Sequence, residues 1–371
     1  MFRFIIKYTH SLTIGKGGIV KGKRSIGRIL KVRKKIVDLN QAINHILSHD
    51  LTKIDVEMGY KGPRFKKGHV IKEEDIEILR SMGREHLTIL ELEEDEVHED
   101  DAALALGSAI CGKGLKLTAP SEGRCNLIAD FRGLLYFDPD KVNMINSDPD
   151  WVVVTLYPYT MVEPGDMVAG FRILPLAVKR AQLERALRVG ATFEVRAYNP
   201  LKVGLVTTGG EIKSGIIKDA FRSKLERKVA YFGGSLLGQN IAGDDQYEIS
   251  EAIRNFLNSG ADLIICTGGM SVDADDNTPR AIAQTCDEVK FKGIPVLPGS
   301  MLMVGMKGEK VIIGAPACVV HDEWTSLDLV LPRIFAGLIP TFEEISRFGI
   351  GGLCRRCSTC SFPNCSFGVK C

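Results

Sequence analysis

The sequence predicts an α/β protein: a mostly parallel sheet with helices on both faces, preceded by smaller α+β regions and followed by a cysteine-rich tail. Three observations carry that prediction. From about residue 199, short apolar runs alternate with amphipathic stretches at the spacing of βαβ units. The short runs are apolar throughout rather than alternating, as expected of strands covered on both faces. Each run ends in glycines or acids, the composition of ligand-binding turns at strand C-termini.

Taken in order, DLNQAINHILSHDLTK (38–53) has a helical apolar period through Leu39, Ala42/Ile43 and Ile46/Leu47. KGPRFKKGHVIKEEDIEILRSMG (61–83) reads as a turn, a short strand and a helix closed by Gly83, and LTILEL as a strand. The charge run LEEDEVHEDD (92–101) reads as a solvated linker and a boundary. DDAALALGSAI is helix-like, WVVVTLYPYT strand-like, and Pro164-Gly165-Asp166 a turn between strands. AVKRAQLERALRVG is a helix stopping at Gly190.

The regular part follows. KVGLVTTGG, SLLGQNIAGDD, ADLIICTGG and KVIIGAP are the strands. IIKDAFRSKLERKVAYFGG is a helix with Ile217, Phe221, Leu225 and Val229 on one face, and QYEISEAIRNFLNSG and TPRAIAQTCDEV are two more. ACVVHDEWTSLDLVLPRIFAG is helix-like, with Trp324 at packing spacing. Cys266 and Cys318 lie in apolar runs and are expected in the core. The expected organisation is a basic, disordered leader (1–24), a small α+β region (25–98), an α+β middle region (99–190), the α/β domain (199–340) and the tail (350–371).

Composition is that of an ordinary globular protein: 371 residues, 45% hydrophobic, 25% charged, net charge +2. The first forty residues concentrate eleven Lys/Arg against one acid, Asp38. Elsewhere the signs balance, so no nucleic-acid partner is expected. No run approaches the ~20 apolar residues of a membrane helix, and Phe4-Ile5-Ile6 is too short for a signal-peptide core. A cytoplasmic protein without a membrane partner is the expectation.

The chemistry gathers at the strand ends: Thr208-Gly209-Gly210-Glu211, Asp244-Asp245, Gly268-Gly269 and Gly314-Ala315-Pro316. Paired glycines admit a ligand close to the backbone, and N–H groups of a following helix hold anions. Thr278 is placed to cap a helix with Pro279 at its first position. Asp273, Asp275 and Asp276 precede that cap. They serve either as solvated charges favoured by the helix N-terminus or as carboxylates holding Mg²⁺ against a phosphate. No GxxxxGK[ST] loop is present, so a Walker-type nucleotide site is excluded.

TGGMSVDADDNTPRAI, with IAGDDQYEISEAI upstream and VIIGAPACVV downstream, resembles the molybdopterin-binding domain of molybdenum-cofactor biosynthesis proteins. Molybdopterin adenylyltransferase, molybdopterin molybdenumtransferase and the competence-damage-inducible proteins share it. The resemblance covers about 202–337 and implies molybdopterin as ligand, with Mg²⁺ and, as partners, ATP or adenylate and molybdate. It implies catalytic roles for Asp276 and Asp244. It places Gly268, Gly269 and Ser271 around the pterin phosphate, with Asp273, Asp275 and Gly314-Ala315-Pro316 facing the ligand. TTGGEI (207–212) is similar to the molybdenumtransferase's TGDEL-like motif, contributing Thr208, Gly209, Gly210 and Glu211, with Gly210 replacing its aspartate. That family's NSAMDGYA-like segment has no counterpart here. GPRFKKGHVIKEEDIEIL is similar to a SAF-type β-clip. The implied functions are an enzyme of cofactor maturation, a non-catalytic cofactor carrier or sensor, or a nucleotide pyrophosphatase of the competence-damage-inducible type. A homo-oligomer is implied too.

The tail, CRRCSTCSFPNC, spaces Cys354, Cys357, Cys360 and Cys365 by two, two and four residues, with Cys371 beyond. Clustered cysteines in a reducing compartment point to metal, either structural Zn²⁺ or an iron–sulfur cluster.

Overall fold

A computed structural model describes residues 33–55, 60–271, 276–363 and 365–368. The α/β domain holds a six-stranded mixed sheet. Its strands are β1 (Lys202–Thr208), β2 (Ser235–Ala242), β3 (Leu263–Thr267), β4 (Glu288–Lys292), β5 (Met303–Lys307) and β6 (Lys310–Ala315), in the order β2-β1-β3-β6-β5-β4. The neighbours β2, β1, β3 and β6 pair in parallel, whereas β5 and β4 run antiparallel at one edge. The sheet is thus mixed, because TPRAIAQTCDEV does not run on as one helix. It ends at Thr285, and Glu288–Lys292 returns as the edge strand.

Helices α1 (Phe221–Tyr231), α2 (Gln246–Asn258), α3 (Thr278–Thr285) and α4 (Ser326–Phe335) cover the faces. Leu205, Leu263, Ile265 and Ile313 pack with Leu225 of α1 and Phe335 of α4. Val206, Ile264, Cys266 and Ile312 pack with Ile253 of α2 and Ile282 of α3. Alternate residues of each central strand therefore enter separate cores, which is why these strands lack a polar face.

Two helix expectations here are shortened. Helix α1 begins at Phe221, leaving Ile217 49% exposed, because the Asp219 carboxylate accepts from the Phe221 and Arg222 N–H groups and fixes the start there. ACVVHDEWTSLDLVLPRIFAG splits into a 3₁₀ turn (Ala317–Val319) and α4, whose Thr325/Asp328 capping box sets its first turn. Trp324 therefore lies in the connecting loop, and Cys318 is half-buried rather than core.

In the N-terminal region Arg33–Asp38 pairs with His86–Glu91, whose other edge takes Ile46–Leu47, beneath the helix Asp75–Ser81. The helix expected over 38–53 does not form beyond the 3₁₀ turn Leu39–Gln41. Asn44 adopts φ +65°, and the amides of Asn44 and Leu47 donate to Ile71 and His69 carbonyls instead of to the preceding turn.

The middle region packs the helix Glu99–Ile110 on a four-stranded antiparallel sheet around Leu106, Leu127 and Phe171. The acidic run is no linker. Glu96–His98 pairs with Ala177–Lys179, and the Lys179 ammonium bonds Glu93 at 2.6 Å and Asp95 at 2.8 Å. Glu99 is 4% exposed at the helix start, and burial raises its carboxyl to about pKa 7.

Candidate functional site

Strand β1 is flanked by β2 on one side and β3 on the other, so the winding direction reverses between the C-termini of β1 and β3. A crevice opens at such a point. Thr208 ends β1 and Thr267 ends β3, with Thr207 opposite Thr267 in the register.

The turn after β3 presses on the end of β1. Gly268 has φ +89°, and a Cβ there would meet the Thr208 carbonyl oxygen at 2.3 Å. Gly269 has φ +53°, and its missing Cβ would lie 2.9 Å from Thr278 Oγ1, 3.3 Å from Thr208 Oγ1 and 3.7 Å from Asp276 Oδ1. Three side-chain oxygens thus surround one bare backbone position. Thr208 Oγ1 donates to the Thr267 carbonyl at 3.1 Å. Its single proton is thereby used, so Thr278 Oγ1 is the donor in their 3.0 Å contact. Both threonines are buried.

Asp244 ties the turns together from the β2 side. Its Oδ2 accepts from the Gly210 N–H at 2.9 Å, and its carbonyl accepts from Asn277 Nδ2 at 2.9 Å. Asn277, rather than Thr278, is the N-cap residue of α3, with Asp276 just before it. Asp245 caps α2 by accepting from Glu248 N–H at 2.9 Å. Lys213 forms an ion pair with Glu248 beside this edge, and that contact, foremost, holds the Glu248 carboxyl below its usual range.

The structure brings Thr208, Gly209, Gly210, Asp244, Gly268, Gly269 and Asp276 to one edge. Ser271 is exposed at the start of the connection to α3, and Glu211 is exposed on the one-turn helix Gly210–Lys213. Asp273 and Asp275 lie outside the described residues. Gly314, Ala315 and Pro316 are buried, and a Cβ on Gly314 would strike Met270 Cε at 2.5 Å. That glycine makes room for a core methionine. Sequence reasoning missed Asn277, Lys213 and Glu248. It had Thr278 as a cap and not as a partner of Thr208.

At Gly210 a Cβ would come 3.1 Å from Asp244 Oδ2. The glycine in place of an aspartate therefore lets Asp244 approach the backbone, and the carboxylate at this corner comes from the β2 turn instead. Among the described residues no three His, Cys, Asp or Glu side chains lie close enough to hold a metal ion, either here or in the tail. The nine described cysteines are free thiols. Among the described residues no helix is long and apolar enough to cross a membrane.

Glycine turns and carboxylates here stand at the switch point of the sheet, the place where open α/β folds bind ligands. Residues 204–336 match the family described as "Probable molybdopterin binding domain". Residues 36–91 match a domain of unknown function. The chain is 30% identical to the molybdopterin molybdenumtransferase of Haemophilus influenzae over 182 residues, 47% of this chain and 43% of that protein. It is 32% identical to a CinA-like protein of Mycobacterium avium over 85 residues, 23% of this chain and 20% of that protein. The chain thus spans less than half the length of either relative. The molybdopterin biosynthesis enzyme MoaB of Thermus thermophilus aligns at TM-score 0.33 and 21% identity, over 38% of this chain and 98% of that one.

Proposed function

We propose that the strand-end crevice binds molybdopterin, with the phosphate at the Gly268-Gly269 turn and the N-terminus of α3, in a step of molybdenum-cofactor maturation. The observation that carries this reading is the convergence of Thr208, Thr278 and Asp276 oxygens on the bare backbone of Gly269, in a domain of this family. Asp276 and Asp244 are the acids for a Mg²⁺ ion. Carboxylate oxygens suit that hard cation. Such an ion would supply charge neutralisation for adenylyl transfer or for adenylate hydrolysis during molybdate insertion. The chain's own part is to hold the phosphate against the glycine turn and to fix Asp244 through the Gly210 amide. A homo-oligomer is part of the proposal.

The test is an anaerobic titration of the full chain with molybdopterin and with its adenylylated form, with and without Mg²⁺. Asp276→Asn is expected to weaken Mg²⁺-dependent binding of the adenylylated form about tenfold or more, roughly 1.4 kcal/mol. Tight binding indifferent to the substitution makes the protein a carrier. Hydrolysis of ADP-ribose without pterin binding makes it a nucleotide pyrophosphatase, and absence of binding to either pterin overturns the reading.

A further inference from the structure

The cysteine-rich segment is folded onto the α/β domain. Leu297 N–H donates to Gly352, Cys354 N–H donates back to Leu297, both at 2.8 Å, and Gly368 N–H donates to Gly351 at 3.0 Å. Phe367 is 4% exposed, and Phe362 packs on Trp324 with ring centroids 4.5 Å apart. Within this closed loop Cys354, Cys357, Cys360 and Cys365 all line one small cavity, floored by Trp324 and Phe362.

Two local features border these sulfurs. The Arg356 N–H points at Cys354 Sγ, 3.5 Å away, from a residue with φ +50°. A non-glycine residue in that conformation is uncommon, and here it turns the amide toward the sulfur. Arg355 lines the same cavity, and the Arg356 guanidinium lies 3.3 Å from Asp322 beside it. An amide donor and the Arg355 side chain thus stand at the edge of the grouped cysteines.

The spacing bears on the occupant. All four cysteines border one space. A single tetrahedral Zn²⁺ needs every sulfur about 2.3 Å from one point. A cubane takes one thiolate at each of four separate corners, and a two-and-two spacing supplies three of them from one short loop. We propose that Cys354, Cys357, Cys360 and Cys365 bind a four-iron, four-sulfide cluster. Each thiol gives up its proton to solvent as its iron–sulfur bond forms, and assembly of the 2+ core draws on two ferrous ions, two ferric ions and four sulfides, so that no electron is exchanged with the chain. This inference is independent of the pterin reading.

The full chain, purified anaerobically, would be assayed for iron, acid-labile sulfide and zinc, directly and after reconstitution with ferrous and ferric iron and sulfide. The expected result is about four irons and four sulfides per chain, with broad visible absorbance that dithionite bleaches. Cys357→Ser and Cys360→Ser, both at exposed positions, are expected to lose at least half the iron with an unchanged far-ultraviolet circular dichroism spectrum. Cys286→Ser, outside the tail, retains it. Zinc without sulfide in both preparations overturns the cluster, as do freely titrating tail thiols without metal, or iron retained in both tail variants.

Discussion

Two acidic runs look alike in the sequence and are used in opposite ways. In the run at 92–101, Glu93 and Asp95 are fastened to Lys179, and Glu99 is enclosed at a helix start. At the strand-end edge, Asp244 is exposed and Asp276 half-buried beside turns that only glycine allows. Charge density alone says little about function. What separates the two runs is where their neighbours come from. The first is tied down by a lysine some eighty residues away in the chain, whereas the second sits where parallel strands end and backbone amides point outward.

That contrast can be broken most strongly at Gly268. Gly268→Ala puts a methyl 2.3 Å from the Thr208 carbonyl at φ +89°, and is expected to destabilise the domain by about 2–4 kcal/mol. A lowered urea midpoint, with loss of pterin binding, checks it.

The next effect has the opposite sign. The Glu99 carboxyl is raised from 4.5 to about 7, by burial first and then by Asp100, against the opposing effects of Arg172 and Lys67. A raised folded-state value favours the protonated form, so the stability it contributes is complete below about pH 4.5 and is lost as pH rises through about 7. Glu99→Gln is therefore expected to stabilise the protein by about 2 kcal/mol near pH 8, the difference closing near pH 4.5. Urea midpoints across that range check the sign. A stabilisation that does not change with pH would mean that Glu99 does not titrate as a buried acid.

The smallest effect expected is that of Thr208→Val, which removes the donor to Thr267 and the acceptor for Thr278 in a buried site. A loss of about 1–2 kcal/mol is expected, with a comparable loss for Thr278→Val and less than additive loss for the pair. Additive losses would show that the two hydroxyls do not act together.

Much of the α/β domain was legible because its strands are buried on both faces and read as unbroken apolar runs bounded by glycines. The N-terminal region misled because Ile46 and Leu47 satisfy a helical period as readily as a strand. Asn44 settled the matter through its left-handed backbone and its bond to Ile71. The acidic run misled because Lys179 is remote in the chain. At the site, the glycines and acids were visible as types, but the Thr208–Thr278 contact depends on β1 and β3 being neighbours, which no local pattern encodes. Gly314 adds a packing reason that sequence could not show: its missing side chain makes room for Met270 in the core.

The bond from the Gly210 amide to Asp244 Oδ2 has a consequence for how that carboxylate meets a cation. Its rotamer is chosen when the chain folds, before any ligand arrives. Immobilising a free side chain on binding costs about 0.5–1.5 kcal/mol, and Asp244 avoids most of that cost because it is preorganised. Oδ1 takes no part in that bond, so the β2 turn offers one oxygen of a carboxylate whose other oxygen is already anchored.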